Sequence, residues 1–108
     1  MPLQFVSVYM TAANKAEAGK IATALVEQRL VACVNVLDGV TSYFRWEGQV
    51  QAEAEVALIA KTRASLVADI EKQVKELHSY DCPCIVAWPL VDGIDDYLAW
   101  IGAETRDD

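Results

Sequence analysis

From position 50 to position 61 the chain alternates strictly with a period of two. The even positions are Val50, Ala52, Ala54, Val56, Leu58 and Ala60, and the odd positions run Gln51, Glu53, Glu55, Ala57, Ile59, Lys61. Such alternation marks a β-strand with one buried face. It lasts for roughly twelve residues, which at ~3.3 Å per residue is about 40 Å. A chain of 108 residues folds to a radius of gyration near ~13 Å, so this strand overruns its own globule. Its odd face also turns apolar at Ala57 and Ile59. The second side of the sheet therefore asks for cover, and a partner chain is the simplest source of it.

The length suits one domain over residues 1–108 with a real core. Hydrophobic residues make up 54%, high for a small monomer and in keeping with a buried interface. The net charge is −7, which disfavours a nucleic-acid backbone or an anionic membrane as partner. No apolar run approaches the ~18 residues of a membrane span. The start, Met1-Pro2-Leu3-Gln4-Phe5, lacks the basic and apolar regions of a signal peptide. The expectation is a cytoplasmic protein, in which the three cysteines are free thiols.

Residues 3–10 read as a first strand. Asn14 caps a helix, with Glu17 at capping-box spacing, and Ala18, Ile21, Ala22, Leu25 and Val26 form its expected apolar stripe. A second strand starts over residues 30–36. Asp38-Gly39 predicts a bulge or bend, because β-forming residues resume over 40–44. Glu47-Gly48 is the hairpin turn, and residues 50–61 are the third strand. Thr62 or Ser65 is the expected cap of a second helix with the stripe Leu66, Ile70, Val74, Leu77. A short strand over 85–88 follows Pro83, and the last helix carries Ile94, Tyr97, Leu98 and Ile101 on one face. The order β-α-β-β-α-β-α predicts an α+β, ferredoxin-like βαββαβ sandwich with an extended β2–β3 hairpin and an extra C-terminal helix. Its helices cover one face of an antiparallel sheet, and the bare face again predicts a homo-oligomer.

This fold hosts many functions. A copper chaperone would need M-x-C-x-x-C after the first strand, where this chain has Met10-Thr11-Ala12-Ala13-Asn14-Lys15. An acylphosphatase-like enzyme would need an arginine in that loop, and there is none. No P-loop or G-x-G-x-x-G occurs. With His78 the only histidine, most triads and multi-histidine metal sites are excluded. A Cys–His pair with Cys82 or Cys84 lacks a third orienting group. The residues therefore predict no enzyme.

Six runs occur in order: Ala32-Cys33-Val34-Asn35, Tyr43-Phe44-Arg45-Trp46-Glu47-Gly48, Glu53-x-Glu55, Lys61-Thr62-Arg63, His78-Ser79-Tyr80-Asp81-x-Pro83 and Tyr97-Leu98-x-Trp100. Together they resemble the CutA family of divalent-cation tolerance proteins over essentially the whole chain. The resemblance implies a trimer related to the PII proteins, no established enzymatic reaction, and a link to copper and other divalent metals. Where some members have a cysteine and two consecutive histidines as copper ligands, this chain has Met10 and Leu77-His78. It also has Ser79 and Cys84 at positions that are usually proline and glutamate in the family.

Two groups of candidate site residues follow. His78, Cys82 and Cys84 are soft-to-borderline donors suited to copper or another divalent metal. The bland alternative is a helix-terminal histidine and two small half-buried residues. Arg45, Trp46, Glu55, Lys61, Tyr80 and Trp100 mix charges with aromatics and are candidates for an intersubunit cleft, whether for a small ligand or as the subunit contact itself. Glu53 and Glu55 face the same way and either hold a hard cation or form a solvated face. Cys33 reads as a core residue. The expectation is a homotrimer that binds a metal ion or small ligand between subunits; the alternative is an assembly module that binds a partner protein.

Overall fold

A computed structural model describes residues 4–107. The elements are β1 (Phe5–Ala12), α1 (Lys15–Glu27), β2 (Cys33–Trp46), β3 (Gln49–Arg63), a 3-10 turn (Ala64–Leu66), α2 (Val67–Leu77), β4 (Ile85–Pro89) and α3 (Asp95–Glu104). The four strands form one antiparallel sheet in the order β2-β3-β1-β4. This is the ferredoxin-like arrangement expected, with the long hairpin and the additional helix. The strand bounds differ at the ends: β2 starts at Cys33 rather than position 30, β3 runs on to Arg63, and the expected first residue of β1, Leu3, lies outside the described residues.

α1 begins as its sequence demands. Asn14 Oδ1 accepts from the Glu17 N–H at 2.8 Å, while Glu17 Oε2 accepts from the Ala13 N–H at 3.1 Å. The box thus closes one residue earlier than the standard reciprocal pair. α2 starts differently from expectation. Neither Thr62 nor Ser65 caps it, and a 3-10 turn leads in without a side-chain cap. Thr62 is instead a buried strand residue whose Oγ1 donates to the Leu30 carbonyl at 2.6 Å.

The core lies between the sheet and α1 and α2. Val8, Met10 and Leu58 from the sheet meet Ile21, Leu25 and Ile70 from the helices, all at most 1% exposed. α3 is fixed at its C-terminal end by two arginines from elsewhere in the chain. Arg63 donates to the Gly102 carbonyl and Arg29 to the Ala103 carbonyl, at 2.6 and 2.7 Å. These cations satisfy carbonyls that a helix terminus leaves free. Of the apolar stripe expected on α3, Ile101 is buried, whereas Ile94 and Tyr97 remain exposed.

The hairpin does overrun the domain. β1 pairs with β3 only from Val56 to Arg63, so residues 49–55 of β3 pair with residues 40–46 of β2 alone. The long dimension of the molecule is 43 Å, against 25 and 22 Å across, and the radius of gyration is 14.4 Å. Glu47 and Gly48 turn with φ +51° and +78°, both positive as a two-residue type I′ hairpin requires.

The Asp38-Gly39 bulge decides which side chains share a face. Leu37 pairs with Ala57 and Val40 with Glu55, so two residues of β2 oppose one of β3, and Gly39 takes φ +81°. Before the bulge the odd residues of β2 stand on the face away from the helices; after it the even ones do. Phe44 and Trp46 therefore stand beside Gln51 and Gln49 on the open face, and Tyr43 and Arg45 lie on the back with Ala52 and Val50.

Candidate functional site

The open face carries an aromatic and acidic groove of about 790 Å³. β1 supplies Tyr9 and Thr11, the hairpin supplies Phe44, Trp46, Glu53 and Glu55, and the segment over 80–84 closes one side. The sheet register explains the convergence. Tyr9 and Thr11 are odd residues of β1, paired with Ile59 and Ala57, and they share a face with the even residues of β2 beyond the bulge.

Tyr80 ties the loop to the sheet. Its hydroxyl donates to Glu55 Oε2 at 2.7 Å. Burial, followed by this bond and the neighbouring carboxylates, pushes the Tyr80 phenol well above its ordinary range, so the hydroxyl stays protonated and donating. His78 sets the position of Tyr80. Its Nδ1 accepts from the Tyr80 backbone N–H at 3.0 Å, and its Nε2–H donates to the Thr11 carbonyl at 2.7 Å. An amide N–H only donates and a carbonyl only accepts, so these partners fix the Nε2–H tautomer. The imidazole side chain is 1% exposed and packs on the Tyr80 ring at a centroid distance of 4.5 Å. Glu17 joins the network, accepting from the Ser79 N–H at 2.8 Å. Burial pushes its carboxyl up, but the bonds from Ala13 and Ser79 outweigh this and leave its pKa below the usual value.

These contacts test the metal candidates. Nδ1 of His78 has spent its lone pair on Tyr80, and Nε2 carries a proton aimed at Thr11. Cys82 and Cys84 are free and exposed. Partial burial of the Cys84 thiol and the nearby Glu55 carboxylate push its pKa up, which disfavours the thiolate that binds metal. Among the described residues no three His, Cys, Asp or Glu side chains come together to hold an ion. The residues as arranged in a protomer do not fit a bound metal.

Three of the six cleft candidates, Trp46, Glu55 and Tyr80, line the groove. Arg45 stands on the back of the ribbon. Lys61 shares the open face but sits in the row of Ser7 and Cys33. Trp100 belongs to α3, its ring 5.5 Å from Tyr97. The Tyr97 hydroxyl lies 3.4 Å from Cys33 Sγ; that contact and burial push the Tyr97 phenol up to about 12. Cys33 is thus half-buried on the open face, not a core residue. Glu53 and Glu55 face the same way, as their spacing requires, with Glu55 bound to Tyr80. Sequence reasoning missed Tyr9, Thr11 and Phe44. The period-2 run Ser7, Tyr9, Thr11, opposite the core residues Val6, Val8 and Met10, was the available signal for the first two.

Comparison with known proteins agrees with the geometry. Residues 6–104 match the family described as CutA1 divalent ion tolerance protein. The chain belongs to the CutA family. It is 44% identical to a divalent-cation tolerance protein CutA of Archaeoglobus fulgidus over 87% of this chain and 91% of that protein. It is 41% identical to a chloroplastic CutA protein of Arabidopsis thaliana over 92% of this chain, and spans 54% of that longer protein. The crystal structure of CutA1 from Oryza sativa superposes with a TM-score of 0.95 at 39% identity, covering 98% of this chain and 97% of that one. The ferredoxin-like sandwich, its long hairpin and the C-terminal helix are thus those of CutA proteins.

Proposed function

We propose that the protein acts as a cytoplasmic homotrimer, connected to divalent-cation tolerance, that binds a small ligand in the open-face groove at the junction of subunits and catalyses no reaction. The observation that carries this reading is the hairpin. Among the described residues its outer half has no third strand beside it, and it exposes Tyr43 at 75%, Val50 at 73% and Trp46 at 52%. A two-stranded ribbon is marginal by itself in water, and apolar surface of this extent marks an interaction site. The front of the ribbon is acidic and aromatic and its back carries Arg45, Tyr43 and Val50. Two unlike faces suit a head-to-tail ring rather than a two-fold dimer, and the likeness to PII trimers favours three subunits. The tolerance role is supported by the names of the relatives, and the cytoplasmic setting by the three unpaired cysteines. The engaged ring nitrogens of His78 weigh against a metal at that position, and they leave no base for a neighbouring thiol.

Native mass spectrometry and sedimentation of protein purified without chelator test the reading. The expected result is a particle three times the 11.9 kDa chain mass that carries a small molecule rather than stoichiometric copper. A stable monomer at micromolar concentration overturns it.

A further inference from the structure

Three properties of the groove restrict what it can hold. Its charge has one sign: Glu53, Glu55 and Asp81 line it, and no lysine, arginine or histidine does. Its walls are aromatic, with Tyr9, Phe44 and Trp46 on the sheet side and the last two exposed. Its acidic donors do not converge, since among the described residues no three metal-binding side chains come together. The sign calls for a cation. The scatter of the carboxylates disfavours a bare metal ion, which needs several oxygen ligands on one small sphere. Aromatic faces attract a cation whose charge is spread over carbon-bearing groups, as in recognition of quaternary ammonium ions. A volume of about 790 Å³ lies within the range of small-molecule sites.

We propose that this groove is a binding site for an organic ammonium ion of metabolite size. Trp46 and Phe44 supply the faces and Glu53 the counter-charge, while Tyr80 holds Glu55 in the wall. The inference rests on the groove serving as the ligand site, as argued above, and adds the class of ligand. It commits to a small molecule; a side chain of a neighbouring subunit, a divalent ion and a neutral apolar compound are the rival occupants.

The test is a titration of the full chain labelled with 5-fluorotryptophan, followed by 19F NMR, with sedimentation of the same samples. Assignment of Trp46, Trp88 and Trp100 comes from single tryptophan-to-phenylalanine variants. The probes are choline, its neutral carbon isostere 3,3-dimethylbutan-1-ol, and magnesium and zinc chlorides. Choline should shift the Trp46 resonance saturably and further than that of Trp88, whose ring stands 5.7 Å from Tyr9, and leave Trp100 unmoved. The neutral isostere should bind at least tenfold more weakly, and Glu53→Gln should weaken choline at least fivefold without changing the sedimenting mass. Phe44→Leu, a second variant on the same face of the ribbon, should do the same. Equal binding of the isostere, or a Trp46 response to the divalent ions alone, overturns the proposal. So does silence of Trp46 in a sample that sediments as a trimer, because the neighbouring subunit then fills the groove. Saturable choline binding by a monomer supports the site and overturns the assembly, so the two failures are distinguishable.

Discussion

His78 joins three segments through two hydrogen bonds and one ring contact: the end of β1, the end of α2 and the loop that carries Tyr80. Removing the imidazole in His78→Ala strands the Tyr80 N–H and the Thr11 carbonyl away from water. Each such orphan costs about 1–3 kcal/mol, so urea unfolding should show a loss of about 3 kcal/mol. A loss below about 1 kcal/mol would mean that water replaces the ring and that its role is not positional. The same bonds make a spectroscopic prediction. In 15N spectra of the imidazole, the Nε2–H tautomer should persist through a Cu(II) titration, and stoichiometric paramagnetic loss of those signals would show the ring released to the metal. Glu17 adds a pH dependence. Its folded pKa is depressed by the Ala13 and Ser79 N–H groups, so its stabilising effect is complete above the unfolded value of 4.5 and fades as the pH falls through the folded value. Glu17→Gln should therefore cost about 1 kcal/mol at neutral pH, and should flatten the acid limb of the stability curve below pH 4.5. An unchanged acid limb would assign that limb to other carboxylates.

Among the elements, β2 shows how a single extra residue chooses the site. With Asp38 and Gly39 opposite one residue of β3, Phe44 and Trp46 reach the groove and Arg45 does not. Replacing Asp38-Gly39 by Thr-Val removes the glycine that holds the positive φ of the bulge, and a strand that runs on with all its residues but no bulge turns Tyr43 and Arg45 to the open face. The core between the sheet and α1 and α2 lies outside this change. The expected outcome is a folded variant by circular dichroism that has lost its trimeric mass and carries Trp46 in a different fluorescence environment. Retention of the trimer would show that the assembly does not read this face. The hairpin, its turn and the bulge were legible in the sequence, because alternation, Glu47-Gly48 and Asp38-Gly39 each have a local cause. The face of Arg45 relative to Trp46 was not, since a bulge signal does not say how many residues it inserts. The groove was half legible for the same reason: Trp46, Glu55 and Tyr80 stood on recognisable motifs, whereas Tyr9 and Phe44 joined them only through sheet register. Thr62 was misread as a cap because its hydroxyl suits either role, and the Leu30 carbonyl that claims it is distant in sequence.

For the whole molecule, the open question is what supports the outer hairpin. Among the described residues, 40–46 and 49–55 pair as strands only with each other, and the Tyr80–Glu55 bond ties the base of this ribbon to the loop over 80–84. In a lone protomer, local opening of such a ribbon takes a small fraction of the global unfolding energy, and its amides exchange accordingly. A subunit seated on both faces would couple their opening to dissociation. Amide exchange of the ribbon should therefore be slow, within about tenfold of the β1–β3 core, at tens of micromolar. On dilution below the dissociation constant it should accelerate by orders of magnitude while the core amides change little. The melting temperature should rise with protein concentration over the same range, as mass action requires when only the folded chain assembles. Ribbon amides that exchange freely at high concentration would show that the hairpin projects into solvent unaided. Its apolar residues would then be waiting for a partner other than a second copy of this chain.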